Sequence, residues 1–157
     1  MTVDGLLSAV CEYFNGLEAF ASCPFIKAPV NAAAPVGNYV AVRAESVEQD
    51  GSMMEPAPGD GAVFAFQQVA TVAMTEVEGD GENLRKARNL IQTREFRDAM
   101  AENFAVWERS QIIAVDTFDG ELYVRQWRFT FTANFADEIS TDVPAIGSVE
   151  PINLQGE

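Results

Sequence analysis

Near the start of the chain, Val3, Leu6, Leu7, Val10, Tyr13, Phe14, Leu17 and Phe20 recur three or four residues apart. That spacing gathers apolar side chains on one side of an α-helix. Thr2 or Asp4 can cap its first turn. The pattern predicts a helix reaching to about Ala21, because Cys23-Pro24, Pro29 and Pro35 prevent its continuation. Residues 22–38 then read as an extended connection pinned to the body by Phe25, Ile26 and Val30. Tyr39, Val40, Val42 and Val47 predict a strand over Asn38–Val47, and Phe64, Phe66, Ala70, Val72 and Met74 a long one over Ala62–Val77. Between them, EQDGSMMEPAPGDG (Glu48–Gly61) is loop chemistry and too long for a tight turn.

Helical spacing returns with Leu84, Ala87, Leu90 and Ile91, then slips in phase at Phe96, Ala99, Met100 and Phe104. Two helices meeting near Thr93 explain the slip better than one rod. Trp107–Thr117 predicts a short strand, and Phe118-Asp119-Gly120-Glu121 a hairpin turn. One alternating strand is expected from Glu121 to Phe135. It places Tyr123, Arg125, Trp127, Phe129, Phe131 and Phe135 on one face and Gln126, Arg128, Thr130 and Thr132 on the other, with the aromatics turned toward the helices.

The expected fold is therefore α+β: a mostly antiparallel sheet of about four strands packed by an N-terminal helix and a central helix pair. Residues 1–135 form one domain, and 136–157 an extended C-terminal tail that contacts neighbours. In that tail Ile139, Val143, Ile146, Val149 and Ile152 stand among acids, Pro144 and Pro151. Too little apolar mass is present to close a core, so the tail needs a partner surface, and these five residues are the candidate subunit interface.

Charge sharpens the picture. Twenty-four acids against ten bases leave a formal charge of -14. Binding through phosphate neutralisation needs a basic face, so this balance argues against a nucleic-acid binder. Solubility alone accounts for such a charge; if copies formed a ring, acids around its hole would make a wall that a polyanion slides past. Glu48, Asp50, Glu55 and Asp60 are the candidate lumen-facing acids. The bases Arg85, Lys86, Arg88, Arg94 and Arg97 are interleaved with Glu82, Glu95, Asp98 and Glu102. They read as a solvated or subunit-facing ion-pair surface before a nucleic-acid patch. No apolar run approaches the roughly 20 residues that span a bilayer, and 1–21 lacks the marks of a signal peptide. Cys11 and Cys23 read as buried free thiols.

Catalytic chemistry is hard to place. The chain has no histidine, which removes the commonest general base and metal ligand together. Carboxylate pairs such as Asp116 with Asp119, or Asp137 with Glu138, fall in turns or at strand ends, where acids are expected anyway. No P-loop, dinucleotide-binding glycine pattern or nucleophile elbow is present. Glu76–Glu82, EVEGDGE, lacks EF-hand spacing, and its acids suit the start of the next helix. The reading is a non-enzyme with no cofactor and no metal.

The order helix, strand, long loop, strand, two helices, strand, hairpin, strand, tail resembles the tail terminator (neck terminator) proteins of tailed bacteriophages. The resemblance is carried by Gly37-Asn38-Tyr39-Val40-Ala41-Val42-Arg43 after a proline-rich stretch, the helical segment 83–104 and Trp107-Glu108-Arg109-Ser110. GELYVRQWRFTFTANFADE and the terminal Ile146-Gly147-Ser148-Val149-Glu150-Pro151-Ile152 complete it. It implies a structural virion protein, assembled in the host cytoplasm and placed in the tail or neck. A homo-hexameric ring would cap the tail tube protein and join it to a head-completion or stopper protein, while DNA passes through the lumen without specific binding. The alternatives are another neck subunit, a stopper or adaptor, or an acidic soluble protein that inhibits a basic partner.

Overall fold

The computed structural model describes residues 1–28, 33–52 and 63–140. Three helices, α1 (Val3–Asn15), α2 (Glu82–Ile91) and α3 (Arg94–Met100), pack on one face of a sheet. Its strands are β1 (Phe25–Lys27), β2 (Tyr39–Gln49), β3 (Val63–Val77), β4 (Ala105–Arg109), β5 (Ile113–Ala114) and β8 (Gln126–Ser140). β6 (Thr117–Asp119) and β7 (Leu122–Val124) form a separate two-stranded hairpin.

The sheet has six strands in the order β1-β2-β3-β8-β4, with β5 also paired to β8. It is larger than the expected four strands and mixed, because β1 runs parallel to β2. The extra strands come from segments too short to show a period. Phe25–Lys27, inside the predicted connection, pairs with Val40–Val42, and two-residue β5 pairs with Trp127 and Arg128. β1's outer edge is closed by the last residue of α1: Asn15 Nδ2 donates to the Phe25 carbonyl at 2.9 Å and accepts through Oδ1 from Phe25 N–H at 2.8 Å. A side chain here satisfies an edge that would otherwise template another strand.

α1 starts where predicted, with the Thr2 hydroxyl accepting from Gly5 N–H at 3.0 Å. It ends at Asn15, well before Ala21, because Gly16 closes it and a 3-10 turn over Glu18–Phe20 tucks Phe20 back into the core. The predicted helix break falls at Thr93, whose hydroxyl accepts from Phe96 N–H and caps α3. Phe14 is the hub of the core, 4.7 Å from Phe25 and 5.7 Å from Phe96 between ring centroids, and Phe104 continues the stack to Phe131 on β8. α1 is thereby tied to α3 and the sheet, each buried ring contributing about 1.5–3 kcal/mol.

Candidate assembly surfaces

β3 and β8 outrun their neighbours. β2 ends its register with Gln49 opposite Gln68, and β4 meets β8 no further along than Ala105 opposite Asn134. Past those points β3 and β8 continue alone as a ribbon in which Phe64 faces Ile139 and Phe66 faces Asp137. Among the described residues, the outer edges of this ribbon carry one backbone bond, from Asp50 N–H to the Gln67 carbonyl at 2.8 Å, and are otherwise without a partner strand. The last strand thus extends to Ser140, five residues beyond the Phe135 boundary expected for the domain. Ile139 lies on the same face as buried Phe131 and Phe135 but beyond the helices, and is 47% exposed. Glu48 and Asp50 are exposed at this same end of the sheet, on and just after β2. The structure therefore brings Ile139, Glu48 and Asp50 to one end; Val143, Ile146, Val149, Ile152, Glu55 and Asp60 lie outside the described residues.

At the opposite end, the predicted single strand from Glu121 is broken at Arg125. Leu122–Val124 folds back on Thr117–Asp119 about a turn whose Gly120 has φ +64°, while Gln126 begins the main-sheet strand opposite Val77. The break changes the fate of one predicted core aromatic. Tyr123 is 79% exposed, beside Leu122 at 73% and Phe118 at 61%, with the Phe118 and Tyr123 rings 5.0 Å apart. The rest of the expected alternation holds, since Phe129, Phe131 and Phe135 are buried under the helices.

A third feature lies where α2 meets β4. Arg109 donates to the Arg88 carbonyl at 2.8 Å and to Gln92 Oε1 at 2.7 Å, Arg97 donates to the Gln92 carbonyl at 2.9 Å, and Arg88 donates to the Ser110 carbonyl at 2.7 Å. These three guanidiniums bond to neutral acceptors, whereas Arg85 pairs with Glu82 and Arg94 with Asp98. Burial, and then the positive charge of Arg88, lower the Arg109 pKa. A bulge between Val106 and Arg109 turns Trp107 outward, 58% exposed. Trp107, Val106 and Ile91 share with Arg97, Gln92 and Arg109 a cleft of about 260 Å³. The sequence marks the helical arginines as a charged surface but gives no signal that Arg109 and Trp107 join them, because the meeting depends on β4 packing beside α2.

The acidic EVEGDGE segment serves closure. Glu76 is fully buried on β3 and accepts from Asn38 Nδ2 at 3.4 Å. At Gly79 a Cβ would come within 2.8 Å of Glu76 Cδ, and at Gly81, φ +84°, within 3.0 Å of the Trp127 ring. Among the described residues, no three acid, cysteine or histidine side chains converge as a metal site, and no helix is long and apolar enough to cross a membrane.

A projecting two-stranded ribbon, an exposed aromatic hairpin and a cluster of arginines without carboxylates are the equipment of a protein that joins others. The family model of the phage neck terminator protein matches residues 4–157. The chain belongs to that family. No curated protein matches it. Membership makes it a structural protein of the bacteriophage tail and neck, located in the virion tail and associated there with other tail and neck proteins. It also gives the projecting ribbon and hairpin a context, since neck proteins work in contact with one another.

Proposed function

We propose that the chain is the subunit of a homo-hexameric ring that caps the tail tube and joins it to the head-proximal connector, with DNA passing through the lumen. The observation that supports this reading is the β3–β8 ribbon, which carries half-buried Phe64 and Phe66 and exposed Ile139, none of them part of the core cluster. Ile139 and, after it, Val143, Ile146, Val149 and Ile152 are the contacts between subunits or toward the next ring. The ribbon's outer edges offer backbone N–H and C=O groups to a strand of the neighbour, and the alternating side chains set its register. Glu48, Asp50, Glu55 and Asp60 line the hole, where like charge keeps DNA from sticking.

The test is truncation after Ser140, which keeps every described β3–β8 pair. The shortened chain is expected to unfold at the same temperature as the full chain yet fail to form rings on tail tubes. Normal rings from the shortened chain would remove residues 143–152 from the interface, and failure of the full chain to cap tubes would remove the terminator role. Reversing Glu48 and Asp50 to lysine should slow or arrest DNA passage in otherwise complete particles.

A further inference from the structure

The three carboxylate-free arginines and the exposed aromatic hairpin sit on different parts of the molecule, and each lacks what the other provides. Six of the ten bases, Arg85, Lys86, Arg88, Arg94, Arg97 and Arg109, fall within 25 residues on α2, α3 and β4 of a chain that carries a charge of -14. Arg97 and Arg109 bond to Gln92 and Arg88 bonds to Ser110, every bond directed to a carbonyl or amide oxygen, so their charges are left for a ligand to neutralise. Trp107 stands beside them with its ring in solvent, a surface for aromatic or aliphatic contact and for cation–π support of a neighbouring guanidinium. The cleft therefore fits a segment that is acidic and aromatic together.

The hairpin is such a segment. Phe118, Leu122 and Tyr123 are its exposed apolar side chains, and Asp116 and Glu121 are exposed at its start and turn. Its sequence from 116 to 124 contains no base. Among the described residues, no ion pair or hydrogen bond joins it to the arginine cluster of its own chain. We infer that the hairpin 117–124 of one copy docks in the Arg97–Arg109–Trp107 cleft of a second copy. The contact is heterologous: each copy gives a hairpin from one surface and a cleft from another, the arrangement that closes into a ring when the rotation allows. Burying aromatic anchors against arginines places the residue types that dominate interface energies at the centre of the contact. The contact deepens the ring reading above and rests on it.

Full-length chains with single cysteines test it. Glu108→Cys lies next to Trp107 and Thr117→Cys at the base of the hairpin; Cys11 and Cys23 are buried, so the introduced thiols are the reactive ones. Mixed under mild oxidation, the two variants should give a mixed disulfide dimer, and either alone far less. Adding Arg97→Glu and Trp107→Ala to the Glu108→Cys chain should slow the cross-link by at least about tenfold. Both side chains are exposed, so circular dichroism and the melting temperature should stay unchanged. Equal rates in mixed and unmixed samples, or a rate indifferent to Arg97→Glu and Trp107→Ala, would overturn the contact. Binding of a short DNA duplex to the cleft in a sample where no cross-link forms would overturn it in favour of phosphate. The cross-link decides the contact by itself, while capping of tubes by the unaltered chain decides the ring reading, so each can fail without the other.

Discussion

The chain has two aromatic clusters with opposite fates. Phe14, Phe20, Phe25 and Phe96 are at most 2% exposed, locked between α1, α3 and the sheet, whereas Phe118, Leu122 and Tyr123 project on a hairpin that none of the described helices covers. Similar residues are buried in one place and wet in the other because only the first has a second layer to pack against. Among the described residues the core is closed without the hairpin, which leaves its apolar side chains available to another surface.

Substitutions in the two clusters should therefore separate stability from association. Phe14→Ala is expected to cost about 3–5 kcal/mol in chemical denaturation, because it removes the hub of the aromatic stack and leaves a cavity. A loss under about 1 kcal/mol would mean that the core repacks freely and that the contrast with the hairpin is weak.

The buried side is also chemically quiet. Burial pushes the Cys11 and Cys23 thiols up from 9.0 to about 11, Lys27 opposing this at Cys11 and Glu76 adding to it at Cys23. At pH 8 alkylation should be on the order of a hundredfold slower than for an unfolded thiol. Because the folded pKa values lie above the unfolded ones, the thiols' contribution to stability is intact below pH 9 and is lost as pH rises through about 11. Fast labelling at pH 8 would show that the α1 side of the core opens.

Gly81→Ala should cost about 1–2 kcal/mol from its positive φ alone, with the Trp127 ring adding to this. The smallest effect belongs to the hairpin. Phe118→Ser, Leu122→Ser and Tyr123→Ser together should move the unfolding free energy by no more than about 0.5 kcal/mol each while weakening association. Destabilisation as large as that of Phe14→Ala would place the hairpin in the core and erase the comparison.

Sequence periodicity shows the parts whose neighbours lie along the chain. The break at Thr93, the first turn of α1 and the inward face of Phe129, Phe131 and Phe135 follow from spacing and caps alone. Parts that depend on a partner distant in sequence are silent there. β1 and β5 are three and two residues long and become strands only by pairing with Val40–Val42 and with Trp127 and Arg128. Tyr123 continues the alternation of β8 on paper, yet Arg125 ends the register and the following strand starts at Gln126. For the assembly surfaces, Ile139 stands out as an apolar residue without a local core. Trp107 and Arg109 acquire their meaning only from the bulge in β4 and from the carbonyls at the end of α2.

The most direct measurement of the central claim is an averaged image of the neck in assembled particles, at a resolution that traces strands. A closed six-fold ring of this chain at the head-proximal end of the tail tube is the expected result. The β3–β8 ribbon and the 117–124 hairpin should be buried between copies or against the next ring, with Glu48 and Asp50 facing the hole. A different symmetry, a position elsewhere in the particle, or a ring in which both projections face solvent would contradict it.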